Sequence, residues 1–464
     1  MFGNRLIAGV CIAVLGACGG KALPPPARKP VVLQPPPRPA PAAFPGAPST
    51  PAGQQLAWAL DAIVTRKGKV ARAELEAHFA PSFVQQVPID ELGKLFVQAA
   101  DQLPGLVLTS VDGAGDELAG HAVVGEIKLR IDLAIDDKQQ IAALRIQPER
   151  ASGPRISSFE EAIHTASSLG AKASLLVAQL DKGACKPIQE LAASDELAIG
   201  STFKLYVLLG LADKILAGKA KWTDELAVRD DWKSLPSGIT QNEPPGTKHS
   251  LQLLAERMIS ISDNTAADHL LYTVGRKQVE AALRSTKHAR PALDAPFLST
   301  RELFVMKLGT PAPELDQYGK WPEARRRDYL DRTLAPRQPN INEAAAWKTA
   351  RRIDTIEWFA SAQDLCKAMN TLLIRAQDPR AAAVLDVLAK NPGLPVDKKA
   401  FPYVGFKGGS EPGVLNMTYL LHRDDGAWFV VVIGLNAEDG KVVDDKQAFS
   451  LASDLIELTA TVNR

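Results

Sequence analysis

Two side chains in the stretch LAIGSTFKLYVLLGLADKI, residues 197–215, could do chemistry together. Ser201 and Lys204 stand three residues apart, where apolar residues recur at helical spacing. One helical turn therefore sets them on the same face. A lysine drawn into an apolar helix loses its preference for the charged form, because desolvation penalises the ammonium. A neutral amine beside a hydroxyl can take its proton and make the serine a nucleophile. The pair alone is a weak signal, since a chain of this length contains about one or two Ser-x-x-Lys by chance.

Two further stretches sharpen it. AERMISISDNTAADHLLYTV holds Ser262-Asp263-Asn264 between two helical segments. This tripeptide is expected on the order of 0.1 times in such a chain by composition. Each of its residues can cap a helix, but capping accounts for only one of the three. The stretch FKGGS places Lys407-Gly408-Gly409-Ser410 on a strand at a sheet edge. Glycines there let a substrate backbone approach the strand closely.

These residues need a scaffold, and the chain has room for one. Its 464 residues suggest two or three domains. With 54 Lys and Arg against 53 Asp and Glu, the net charge of +1 argues against a nucleic-acid partner. From about residue 155 the order is a helix (SFEEAIHTASSLG), two strands (KASLLVAQLD and KPIQELAA), helices, then three strands over 403–437 and a closing helix. Strands at both ends of a segment with helices between them fit one antiparallel sheet covered by helices on both faces. Before it, residues 54–150 read as three amphipathic helices followed by four alternating strands, a small α+β domain. The expected fold class is therefore α/β (α+β), with the large domain spanning 151–464.

The N-terminus is read as an export segment. Residues 1–18 carry Arg5, a short apolar run and small residues ending in Leu15-Gly16-Ala17-Cys18. This end resembles the lipobox of bacterial lipoproteins, in which the cysteine, here Cys18, is acylated after cleavage. Residues 19–53 are dominated by proline and contain no acid, as in a polyproline II tether. The expectation is a signal peptide and a lipid anchor to the membrane, placing the body in the cell envelope at the outer membrane and facing the periplasm.

Serine-lysine, Ser-Asp-Asn and a third Lys-containing motif, in this order, resemble the signature set of class A β-lactamases and penicillin-binding proteins. EPPGTKHSLQLLAERMISISDNTAA also resembles the segment leading to the second motif in class A enzymes. The third motif departs from the family where Gly408 stands in place of a hydroxyl residue, while Gly409 matches the family glycine. The resemblance implies a β-lactamase-like fold with Ser201 as acylated nucleophile, Lys204 as general base and Ser262 as proton relay. It implies that Asn264 and Lys407 bind substrate, and that Gly409 and Ser410 line the site. The amides of Ser201 and Ser410 would form the oxyanion hole. The substrate would be a β-lactam, a peptidoglycan-like D-alanyl peptide or a small ester.

Class A β-lactamases also carry a glutamate, in an E-x-x-L-N loop, that activates the deacylating water. The comparable stretch is QPNINEA, with Asn342 at the loop asparagine and Gln338 at the glutamate position. An amide cannot accept that proton at neutral pH. Glu343, Asp331 and Asp354 are the nearby carboxylates that could substitute; the run Arg325, Arg326, Arg327 could contact a substrate carboxylate, although such a run is more often a solvated face.

HFAPSFVQQVP, IGSTFKLYVL, DAPFLSTRELF and IEWFASAQDLCKAM further resemble a group of two-domain serine hydrolases. That group includes an esterase-like protein of the clavulanic acid gene cluster, and it implies weak or absent β-lactam turnover with possible ester hydrolysis. No G-x-S-x-G elbow, Walker loop or HExxH occurs, and no cofactor or metal is expected. Cys185 and Cys366 could form a disulfide in an exported protein. The alternative to an enzyme is a non-catalytic envelope or cell-wall binding protein that kept the penicillin-recognising fold. The five intact polar residues argue for the enzyme.

Overall fold

The computed structural model describes residues 44–462 apart from 104, 114, 125–126, 149–154, 170–171, 236 and 439. The signal segment, Cys18 and the tether up to residue 43 lie outside them. The chain divides into two compact units at 150/151.

The first unit has the expected order. Its main helices, Pro51–Leu60, Arg72–His78 and Ile89–Gln102, precede strands Val107–Asp112, Glu117–Val124, Ile127–Ile135 and Ile141–Pro148. The strands pair antiparallel in sequence order. In IKLRIDLAI the buried residues are Leu129, Ile131, Leu133 and Ile135, every second position, so one sheet face is covered. It packs with Trp58, Phe79, Phe83 and Phe96 in one core. One boundary differs from expectation. The first helix starts inside the segment 19–53 read as tether, because the Thr50 hydroxyl accepts the Gly53 N–H at 3.2 Å and Pro51 suits a first helical turn. Phe44 and Ala47 already pack on the core.

The second unit is built on a five-stranded antiparallel sheet. Its spatial order is Tyr403–Glu411, Val414–His422, Trp428–Asn436, Lys172–Asp181, Ala184–Leu191. The second and third of these strands are apolar almost throughout, as strands covered on both faces must be. On one face lie the first and last helices of the unit, Phe159–Ser168 and Asp445–Thr461. The other face carries the larger helical core around the central helix Lys204–Leu216. Every residue of that helix from Lys204 to Ala212 is buried, which is the fate of a helix apolar on all sides. No helix among the described residues is long and apolar enough to cross a membrane.

Cys185, on the last strand, is bonded to Cys366, on the helix Ala362–Ala376, across 181 residues of sequence. Closing so long a loop constrains the unfolded chain strongly. The double variant Cys185→Ser/Cys366→Ser should lose about 2–5 kcal/mol of stability. A denaturant midpoint equal to that of the parent would show that the bond contributes nothing.

Candidate active site

Ser201 lies in a 3₁₀ turn, Gly200–Phe203, that leads directly into the central helix at Lys204. Three supports fix this turn. The side-chain amide of Asn436 pairs with the backbone of Ala198 in both directions, accepting at 2.8 Å and donating at 2.9 Å. The short strand Leu197–Ala198 pairs with Phe359–Ala360, and Phe203 stacks on Trp358 with ring centroids 3.7 Å apart.

Lys204 is fully buried, and its Nζ donates toward four oxygens. The Ser262 carbonyl and Asn264 Oδ1 both lie at 2.6 Å, and the hydroxyls of Ser201 and Ser262 both at 3.2 Å. The two carbonyl-type oxygens can only accept. In the neutral amine the two N–H bonds would go to these acceptors, leaving the lone pair for one of the hydroxyls. Burial pushes Lys204 down to about 7 from its ordinary 10.5, against the opposing fields of Asp263 and Asp268. A neutral amine is therefore accessible near neutral pH.

Ser262 adopts a left-handed backbone, with φ of 55°. For a residue with a side chain this costs roughly 1–3 kcal/mol and persists only where the surroundings hold it. Here its carbonyl accepts from Lys204 and, at 2.7 Å, from the Ser237 hydroxyl. Asp263 next to it is fully buried and caps the helix Asn264–Val274 through Ala266 N at 2.8 Å. Its other oxygen accepts from Ile239 N, Thr240 N and Thr240 Oγ1 at 2.8–2.9 Å. Thus the middle residue of the triplet ties the 237–240 loop to the site. Asn264 is committed at both ends of its amide, to Lys204 and, through Nδ2, to the Leu235 carbonyl at 3.1 Å.

The strand Tyr403–Glu411 is the sheet edge. Lys407 Nζ donates to Ser262 Oγ at 3.0 Å and also to the Gly408 carbonyl. Burial, and then the neighbouring Lys204, push Lys407 well below its ordinary range, so the ligand-free site disfavours the positive charge expected there. Ser262 Oγ thus stands between two amines. A Cβ on Gly409 would lie 2.0 Å from the Ile199 carbonyl and 2.8 Å from Ser201 N, so only glycine permits this approach. Gly200, at φ +48°, faces Ser410 N from the other side. The two-residue turn after Glu411 makes Glu411 and Val414 a hydrogen-bonded pair. Counting back, the Ser410 N–H points off the free edge, toward the Ser201 turn. At Gly408, where the family resemblance calls for a hydroxyl residue, a Cβ would meet the Phe406 ring at 2.9 Å.

The structure therefore brings Ser201, Lys204, Ser262, Asn264 and Lys407 into one contact network, with Gly409 and Ser410 beside it. The loop residues do not join them. Gln338 and Asn342 are exposed, and Glu343 faces Arg351 at 3.4 Å. Among the described contacts none links these three to Ser201 or Lys204. Besides the 237–240 loop, a segment near residue 300 reaches the Ser262–Asn264 turn, where Thr300 Oγ1 donates to the Asn264 carbonyl at 3.3 Å. Asp354 pairs with Lys172 on the surface. The arginine run is only partly solvated, because Arg325 lies over Trp321 and Arg327 pairs with Glu280. Sequence reasoning missed Ser237 and the 237–240 loop; the only local signal was Ser237-Gly238 as a turn.

Residues 157–457 match the family model described as the beta-lactamase enzyme family. Residues 47–141 match the model described as the ORF 12 gene product N-terminal. No match was found among curated proteins. Solved structures similar to the chain include a β-lactamase from Sphaerobacter thermophilus, 19% identical, with 66% of this chain and 97% of that one covered at a TM-score of 0.45. A β-lactamase from Chitinophaga pinensis is 14% identical over 64% of this chain and 98% of its own, at 0.44. PBP-A is 14% identical over 65% and 94%, at 0.43.

Proposed function

The chain belongs to the beta-lactamase enzyme family, and on that footing we propose that it is an envelope serine hydrolase working through a Ser201 acyl-enzyme. The observation that carries this reading is the Lys204 amine, held by two acceptors at 2.6 Å with the Ser201 hydroxyl at 3.2 Å. Ser201 Oγ gives its proton to Lys204 and attacks a carbonyl carbon. The resulting oxyanion is met by the N–H groups of Ser201 and Ser410. Ser262, between Lys204 and Lys407, returns the proton to the leaving nitrogen or oxygen as the tetrahedral intermediate collapses. Asn264 positions Lys204, and its remaining N–H would contact the acyl group. A substrate carboxylate beside Lys407 would favour its ammonium form and offset its burial.

The substrate is a β-lactam, a D-alanyl peptide or an ester, and β-lactam turnover is slow. A β-lactam keeps its leaving amine tethered after ring opening, where it screens the acyl carbon from water. An ester releases its alcohol and leaves a more accessible acyl group. With no carboxylate of the 338–344 stretch in described contact with the site, only Lys204 and Ser262 assist that water. Intact-protein mass spectrometry after mixing with a penicillin and with a small ester tests this. The expected result is a persistent penicillin adduct and a short-lived ester adduct. No adduct with either would favour the non-catalytic binding protein.

The proposed location rests on the sequence of residues 1–18. Cys18→Ser should release the protein from the membrane fraction, since a lipid chain supplies the anchoring there. A variant that stays with washed membranes would overturn the lipoprotein reading.

A further inference from the structure

Behind the strand pair that leads to Ser201 lies a second polar cluster that the hydrolytic mechanism does not use. Glu196, immediately before Leu197–Ala198, His288 and Asp364 each bring a ligand-type atom to one place, all within 4.8 Å of one another. Asp294 joins them, its Oδ2 lying 3.9 Å from His288 Nε2. Tyr206, on the central helix, sets its ring 5.9 Å from the His288 ring.

This cluster differs from an ordinary acidic patch in what its atoms lack. Both Glu196 oxygens, Asp294 Oδ2 and the Tyr206 hydroxyl are buried without a hydrogen-bond partner. Asp294 is 3% exposed and Tyr206 1%. Leaving even one such group unpaired is costly, and native proteins rarely concentrate several at one spot. Hydrogen bonds orient the other atoms. Asp294 Oδ1 accepts from Phe359 N at 2.8 Å, and Asp364 accepts from Ser361 Oγ at 2.6 Å and Ala289 N at 3.0 Å. His288 Nε2 donates to the Phe359 carbonyl at 3.1 Å. Its Nδ1 faces Asp364 Oδ2 at 3.9 Å and takes only a 3.2 Å bond from Arg290 N. Of the cations nearby, Lys367 pairs with Asp364 at 3.0 Å. Arg290 acts on Glu196 through its field, with no ion pair among the described contacts.

We propose that this cluster is a structural site for a divalent first-row cation such as Zn²⁺ or Mn²⁺, bound by Glu196, Asp364 and His288 Nδ1. Asp294 Oδ2, nearest the other ring nitrogen, and the Tyr206 ring lie beyond this ligand set. The imidazole among oxygen donors selects a first-row ion over Ca²⁺ or Mg²⁺. Bonds of about 2.1 Å require the three ligand atoms to close by only about half an ångström. The ion would join the segment entering the nucleophile turn, the 288–294 loop and the start of the helix Ala362–Ala376.

The test uses full-length protein without a polyhistidine tag, stripped with chelator and titrated with Zn²⁺ and, separately, Mn²⁺ by calorimetry and metal analysis. The expected result is one ion per chain, with a melting temperature raised by about 5 °C at a hundredfold excess over Kd. Glu196→Gln breaks no protein hydrogen bond, so it should fold as the parent does and bind the ion at least about 10–100-fold more weakly. Tyr206→Phe, which removes only an unpartnered hydroxyl, reads the same site through a smaller loss. Failure to take up either ion at millimolar concentration would overturn the proposal. So would unchanged affinity in Glu196→Gln, which would place the ion elsewhere.

Discussion

Ser201→Ala should abolish covalent labelling by a fluorescent penicillin or a fluorophosphonate and lower kcat on the order of 10⁶-fold, the scale of a removed serine nucleophile. Ser262, the other hydroxyl beside Lys204, has its backbone held by the bonds its carbonyl accepts from Lys204 and Ser237 and is not expected to take over. The variant should still fold. The Ser201 hydroxyl makes one described hydrogen bond, at 3.2 Å, and Lys204 keeps its two acceptors at 2.6 Å without it. A stability change within about 1 kcal/mol is therefore expected. Undiminished labelling of a folded Ser201→Ala protein would remove this serine from the mechanism.

Lys204→Met keeps the length of the side chain and deletes the amine, and it should slow acylation by about 10²–10⁴-fold, the usual worth of a general base. The wild-type rate should carry the signature of the same group. Burial lowers Lys204 to about 7, so acylation should rise with pH below that value and level off above it. The stability effect has a definite sign. Unfolded, the lysine keeps its proton up to its ordinary 10.5, whereas folded it releases it at about 7. Between those values the unfolded chain holds more protons, so stability rises with pH across that window. Lys204→Met should flatten that rise. Stopped-flow acylation and denaturant unfolding across pH 5 to 10 measure both, and a rate limb unchanged in Lys204→Met would assign the base to another group.

Much of this was legible from residue pattern. The alternation in IKLRIDLAI and the largely apolar 414–436 strands gave one covered face and two covered faces respectively, and the sheets follow. Ser201, Lys204, Ser262, Asn264 and Lys407 were legible because their types are unusual where they stand, above all a lysine in an apolar helix. The deacylation loop was not. Residues 338–344 were placed by analogy of letters across a long insertion, and nothing local to QPNINEA says which element it faces. The role of Asp263 was half legible: capping can be read from its type, whereas its grip on the 237–240 loop depends on a contact distant in sequence. The cluster around Glu196 was invisible for the same reason, since its residues come from four separate segments.

The pairing of Asn436 with Ala198 spans 238 residues, and it sets an order of events for a chain that emerges from its N-terminus. The turn that presents Ser201 is held by the end of the strand Trp428–Asn436, which is also the strand that pairs with Lys172–Asp181. Until that late segment exists, the residues before the nucleophile have Phe359–Ala360 on one side but lack the Asn436 amide that fixes Ala198. The turn thus reaches its described form only on completion, and a chain halted before residue 436 carries the serine and the lysine without this support.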